Sequence, residues 1–113
     1  IFSLEDLPRS MIVLGGGPIA IEMAQAFSRL GTDVTVVQRS GQILSREDAD
    51  MAETVMRVLE TEGVKFILNA RIESVKDVGG EREVRVTAGG EETVIRAGAL
   101  FVAMGRRANV DGL

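Results

Sequence analysis

Four apolar residues in a row, Met11-Ile12-Val13-Leu14, end at Gly15-Gly16-Gly17, and past Pro18 the apolar positions change interval, falling at Ile19, Met23, Ala26, Phe27 and Leu30. A short unbroken apolar run bounded by glycine is the pattern of a strand buried on both faces, and the change to helical spacing opens a helix. Met11–Leu14 is therefore read as a strand and 18–30 as a helix. Pro18 sits at the first helical position, where its missing N–H costs little, and Gly31 ends the helix. A β-branched run in 33–38 gives a second strand. Ala52, Val55, Met56 and Leu59 then recur at helical spacing, which predicts a second helix over 46–62, with Ser45 and Asp48 resembling a capping box, its methionines filling core, and Gly63 as its stop. Val64–Leu68 is a third strand.

From there the pattern changes. Extended runs over 71–78, 82–88 and 92–97 are separated by Gly79-Gly80 and Gly89-Gly90, which are two-residue hairpin signals. They predict an antiparallel meander where a plain doubly wound fold has a crossover helix. Glu81, Arg82, Glu83, Glu91 and Glu92 are expected at its turns as a solvated rim. The last apolar run, 99–103, returns to the parallel sheet beside the first strand. The fold class is α/β: a Rossmann-like parallel sheet with two main helices and a three-stranded antiparallel β-meander. Residues 1–10, with Glu5, Asp6 and Pro8, read as a connector, as does 105–113.

At 113 residues the chain suits one domain with a real core, and it is short for a complete two-substrate enzyme. The net charge of -4 is spread among interspersed acids and bases, so no basic patch points to nucleic acid or to a membrane surface. No apolar run approaches the roughly 20 residues that span a bilayer, and the first residues lack the pattern of a signal peptide. The cytoplasm is the default expectation. With no Cys and no His there is no disulfide, thiol nucleophile, imidazole base or ordinary zinc site, so any redox disulfide or acid/base pair has to lie elsewhere.

Chemistry concentrates at Gly15, Gly16, Gly17, Pro18, Ile19 and Ala20, a match to G-x-G-x-x-A. Gly15 permits a tight turn, Gly17 lets a pyrophosphate approach the backbone, and Ala20 lets helix and strand pack closely, with amides near Gly17 and Ile19 as donors. Such a match alone marks only a turn; a strand before it and a helix after it make it a dinucleotide cradle. The end of the second strand chooses the cofactor. An NAD site places an acid there to accept from the ribose 2′-hydroxyl, whereas a 2′-phosphate wants arginine. Here stand Gln38 and Arg39, so NADP(H) is preferred, with NAD(H) as the alternative. Arg39 can fork onto a phosphate, Arg46 can add a second contact and Ser40 a hydroxyl, against the plainer reading of two solvent-facing arginines. Glu22, one turn into an apolar helix, also fits the favourable field of a helix N-terminus.

Taken together, the order of elements resembles the pyridine-nucleotide-binding domain of the flavoprotein disulfide reductases, a family including lipoamide dehydrogenase, glutathione reductase and mercuric reductase. The resemblance covers essentially the whole chain. It rests on Gly15-Gly16-Gly17-Pro18-Ile19-Ala20-Ile21-Glu22, similar to G-G-G-x-I-G/A-x-E, and on Ala103-Met104-Gly105-Arg106-Arg107-Ala108-Asn109, similar to A-T-G-R-x-P-N. Pro18 stands where many members carry an aromatic gate, and Met104 and Ala108 replace Thr and Pro.

The resemblance implies that this is an excised part of a larger FAD-dependent reductase, inactive alone, in which bound NAD(P)H passes hydride to FAD. It places Ile19 beside the nicotinamide, Glu22 in a supporting role near the flavin–nicotinamide contact, and Met104 and Gly105 among the cofactor-binding residues, where the chain re-enters the FAD domain. It implies a parent homodimer joined through a further C-terminal domain, and a fragment that is itself monomeric. Two other readings stand beside it. An FAD-binding Rossmann domain shares the fingerprint but keeps an acid where Gln38 stands, and a non-catalytic nucleotide-sensing or scaffolding module needs no catalytic side chain.

Overall fold

A computed structural model of the chain describes residues 7–44, 49–103 and 109–111. In chain order the elements are β1 (Ser10–Leu14), α1 (Pro18–Arg29), β2 (Asp33–Val37), α2 (Ala49–Thr61), β3 (Lys65–Ile67), β4 (Ala70–Val78), β5 (Glu81–Ala88), β6 (Glu91–Ala97), β7 (Ala99–Val102) and β8 (Asn109–Asp111). One sheet has the order β3-β2-β1-β7-β8, parallel except for β8, and the other is the meander β4-β5-β6. The expected elements are present within a few residues of their predicted bounds; the proposed capping box at 45–48 lies outside the described residues.

β1 is central, and its continuous apolar run is explained by burial on both faces. Met11 and Val13 join Val34, Val36, Ala99 and Phe101 beneath Ala20, Ile21, Ala24 and Phe27 of α1 and Ala52 and Leu59 of α2. Ile12 and Leu14 join Val37 and Leu100 against Val84, Val86 and Ala97 of the meander. The molecule is thus helices, sheet and meander in three layers, and each fully buried Val, Leu or Ile contributes about 1.5–3 kcal/mol by leaving water.

Both helices end alike. Thr32 N–H donates to Phe27 O and Gly31 N–H to Ser28 O, while Val64 N–H donates to Leu59 O and Gly63 N–H to Glu60 O. These are paired Schellman bonds that satisfy the last carbonyls of each helix. The two ends are also joined sideways, because Arg29 Nε donates to Glu62 Oε1 at 2.9 Å and Ser28 Oγ to Glu62 O at 3.1 Å.

In the meander, Val78 pairs with Glu81 and Ala88 with Glu91, so the hairpin loops are Gly79-Gly80 and Gly89-Gly90. All four glycines have positive φ, as a type I′ turn demands. β4 carries one extra residue, Glu73, at a bulge between Ile72, opposite Val86, and Ser74, opposite Arg85. Its carboxylate accepts from Arg71 and Thr87. The expected solvated rim holds for Glu81, Glu91 and Glu92, which are exposed. Arg82 and Glu83 differ: their side chains are only 20% and 12% exposed, and they pair with Asp77 and Arg96. Cross-strand pairing, which composition does not disclose, draws them in.

Two stretches read as connectors are partly built into the domain. Pro8 O accepts from Thr32 Oγ1 at 2.8 Å and Arg9 O from Asp33 N–H at 2.9 Å. Asn109–Asp111 adds an antiparallel edge strand to β7, a pairing with no local turn signal to announce it.

Candidate functional site

The carboxyl ends of β1, β2 and β7 meet at the glycine turn. Gly15 N–H donates to Val37 O at 2.8 Å, and Ala103 N–H to Leu14 O at 2.9 Å. Gly15 has φ +125, and a Cβ there would stand 2.9 Å from Ala103 O, so both its conformation and its surroundings demand glycine.

Gly17 is different. It is the N-cap of α1, in extended conformation with φ -78, makes no side-chain cap bond, and a Cβ on it would meet nothing within 4 Å. The first intrahelical bond runs from Ile21 N–H to Gly17 O. Ahead of it the amides of Ile19 and Ala20 have no intrahelical acceptor, and Pro18 has no N–H to offer. Open space beside Gly17, next to the exposed Ile19 at a helix N-terminus, fits a phosphate group. Ala20 is fully buried against the sheet, which suits the small third position of the motif. Ile19 is 57% exposed although apolar, and Glu22, three residues on and so its neighbour on the helix surface, is exposed as well. Glu22 is the fifth residue of α1, past the first turn in which the helix field is strong, which weakens the field explanation for it.

The junction after β2 lies beside this turn. Gln38 is half-buried and its carboxamide lies over Gly16: a Cβ on Gly16 would fall 2.9 Å from Gln38 Cδ and Nε2. Gln38 Nε2 donates to Gln42 O at 3.1 Å, and its Oε1 accepts from Arg39 N–H at 3.2 Å. Leu44 N–H donates to Gly16 O at 2.6 Å, holding Leu44 at φ 50. Arg39 is exposed and has no ion-pair partner among the described residues. The Ser40 hydroxyl donates to Gln42 O at 2.8 Å, so a phosphate has to compete for it. Arg46, Met104 and Gly105 lie outside the described residues. A cavity of about 210 Å³ opens between the 41–43 loop, α2 and Leu68, lined by Ile43, Ala52 and Met56 among others; neither the glycine turn nor Arg39 borders it. No helix of the described residues is long and apolar enough to cross a membrane.

The family model for pyridine nucleotide-disulphide oxidoreductases matches residues 1–113. The chain belongs to that family. Among relatives of this oxidoreductase domain, the mercuric reductase of Lysinibacillus sphaericus is 34% identical over 113 residues, which is 100% of this chain and 21% of the relative. In solved structures, a Cu(II) complex of the HOCl-induced flavoprotein disulfide reductase RclA from Escherichia coli superposes with TM-score 0.80 at 33% identity, covering 91% of this chain and 22% of that one. An engineered water-forming NADPH oxidase bound to NADPH shares the fold, with TM-score 0.79 at 24% identity over 90% of this chain and 22% of that chain. The chain spans about a fifth of the length of the curated relatives it matches.

Sequence reasoning missed what brackets Arg39 in this oxidoreductase domain. Ala70 N–H donates to Gln38 O and Asn69 N–H to Ser40 O, so the β3–β4 corner grips the residues on either side of Arg39. Asn69 turns that corner with φ 54. Asparagine tolerates the left-handed region, so an Asn at a strand end was the available signal.

Proposed function

We propose that this domain binds a pyridine dinucleotide, NADPH in preference to NADH, and presents its nicotinamide to FAD held by another part of the same protein. The observation that carries the reading is the pairing of an open turn at Gly17–Ile19 with an exposed Arg39 that has no ion-pair partner among the described residues, beside a neutral Gln38. The turn takes the pyrophosphate and Arg39 the 2′-phosphate, which a carboxylate at position 38 would repel. When bound, the dinucleotide supplies the hydride chemistry; Ile19 shields the nicotinamide from water and Glu22 holds a charge at that edge. Arg46, Met104 and Gly105 belong to the same proposal, with Arg46 as a second cation and 105–113 as the path towards the FAD-binding part. A homodimeric parent is part of it too.

The engineered NADPH oxidase supports the reading as chemistry, its likeness at 24% identity being one of fold. Its stated substitutions turn an Asp into Ala and the next two residues into Arg and Ser, with an earlier Gly becoming Ala and a later Pro becoming Arg, the last at a spacing that falls on Ser45 here and not on Arg46. This chain carries Gln38-Arg39-Ser40, and the interval back to Ala20 equals the interval between those substitutions.

Titration of the protein with NADP+ and NAD+ by calorimetry tests the proposal. Arg39→Glu should weaken NADP+ about 100-fold, since hydrogen bonds to charged groups are worth about 1.5–3 kcal/mol and repulsion is added, while NAD+ changes little. An equal loss for both, or a starting preference for NAD+, would reject NADPH.

A further inference from the structure

Gln38 was expected to face the cofactor, and its carboxamide is instead largely committed within the chain. One N–H is given to Gln42 O, the carbonyl is taken by Arg39 N–H, and the flat face of the group covers Gly16. The opposite orientation of the amide would set oxygen against the Gln42 carbonyl and N–H against the Arg39 amide, so the orientation is determined. The contact also accounts for Gly16, the middle position that the G-x-G-x-x-A pattern leaves free. Gly16, unlike Gly15, does not have a positive φ. Its backbone therefore accepts alanine, and the Gln38 side chain is what stands in the way of a Cβ.

We propose that Gln38 is a positioning residue: a clip between the Gly16 turn and the 39–44 loop that fixes Arg39 at the distance from the turn that a 2′-phosphorylated dinucleotide requires. The proposal rests on the functional reading above and adds how selectivity is held. Three backbone bonds complete the device. Leu44 N–H to Gly16 O closes the loop onto the turn, and the Asn69 and Ala70 amides hold Ser40 O and Gln38 O. Arg39 is left between two fixed carbonyls with its side chain outward. A carboxylate at position 38 has no N–H for Gln42 O, so it loses the clip as well as repelling phosphate. The neutral amide thus excludes the acid of an NAD site and orients the arginine that replaces it.

The consequence is a coupling that neither residue shows alone. A methyl group on Gly16 would fall 2.9 Å from the Gln38 carboxamide, which has to shift to admit it, and that shift pulls on both of its hydrogen bonds. Gly16→Ala and Gln38→Ala should therefore act as one lesion. The experiment measures Kd for NADP+ and for NAD+ on the full chain in the two single variants, the double variant and Gln38→Glu, with Tm recorded for each. Crowding of the pyrophosphate by the Gly16→Ala methyl affects both dinucleotides and cancels in the ratio of their affinities.

The expected result is a fall in that ratio of about tenfold in each single variant, with no further fall in the double variant. Each single variant should lose about 4 °C in Tm, and the double variant no more than that. Gln38→Glu keeps the size of the side chain and should not rescue the ratio. Multiplying effects in the double variant, or a ratio unmoved by Gln38→Ala, overturn the clip while leaving an NADP+ preference in the wild-type protein intact. A wild-type protein without that preference overturns the functional reading, and the positioning role with it.

Discussion

Gly15 and Gly17 share a turn and answer to different demands. Gly15 is required by the chain itself, through φ +125 and the Ala103 carbonyl 2.9 Å from where a Cβ would be. Gly15→Ala should destabilise the protein by about 1–3 kcal/mol or more in urea unfolding, the cost of a strained left-handed residue with a backbone clash added. Gly17 is in a conformation any residue adopts and has empty space before it. Gly17→Ala should cost no more than about 1 kcal/mol in urea unfolding, the loss of a favourable N-cap residue, yet weaken dinucleotide binding at least about tenfold, as read by calorimetry. Undiminished binding would show that no phosphate rests on that backbone. Both glycines were legible in the sequence, because their spacing and flanking elements are local. The work of Gln38 was not, because it depends on a contact with a turn that folding alone brings near.

At the scale of elements, the C-termini of α1 and α2 are tied by Arg29 and Glu62. A hydrogen bond from the guanidinium holds the Glu62 carboxyl below the ordinary glutamate value of 4.5 against the opposing effect of burial, and the Arg29 charge and a hydrogen bond from Gln25 add to the lowering. A depressed carboxylate stabilises the fold fully above its unfolded value, and this stabilisation is lost as pH falls through the lower, folded value. As pH falls below the ordinary glutamate value of 4.5, the urea midpoint should therefore drop less steeply in Glu62→Gln than in wild type. Parallel acid limbs would mean that the tie contributes nothing, as holds for many exposed pairs. The helix ends were legible from Gly31 and Gly63. The tie between them was not, since no spacing rule links Arg29 to Glu62 until two parallel strands bring the helices alongside.

Over the whole molecule, β1 is where the layers communicate. Ile12 is fully buried against the meander side, and Val13, the next residue, against the helices. Ile12→Ala should cost about 2–5 kcal/mol in urea unfolding, and the meander and the helices should be lost in one transition when followed by separate probes. Two separated transitions would show that the layers fold independently. The order of the parallel strands and the presence of the meander could be read from periodicity and from the paired glycines. β8 and the bulge in β4 could not, because an edge pairing and a register shift have no residue that signals them on their own.

The bulge has a consequence for how this domain tolerates changes of length. Glu73 is the residue by which β4 outnumbers its partner between Ile72, opposite Val86, and Ser74, opposite Arg85. Losing that residue would leave Ile72, Ser74 and Val75 opposite the same partners, with an ordinary ladder in place of the bulge. A deletion at a regularly paired position in the strand would turn every following side chain to the other face. The meander can thus shorten by one residue at Glu73 and keep its hydrophobic face towards Ile12 and Leu14, which makes the bulge the joint at which insertions and deletions can pass through β4 without disturbing the layer beneath.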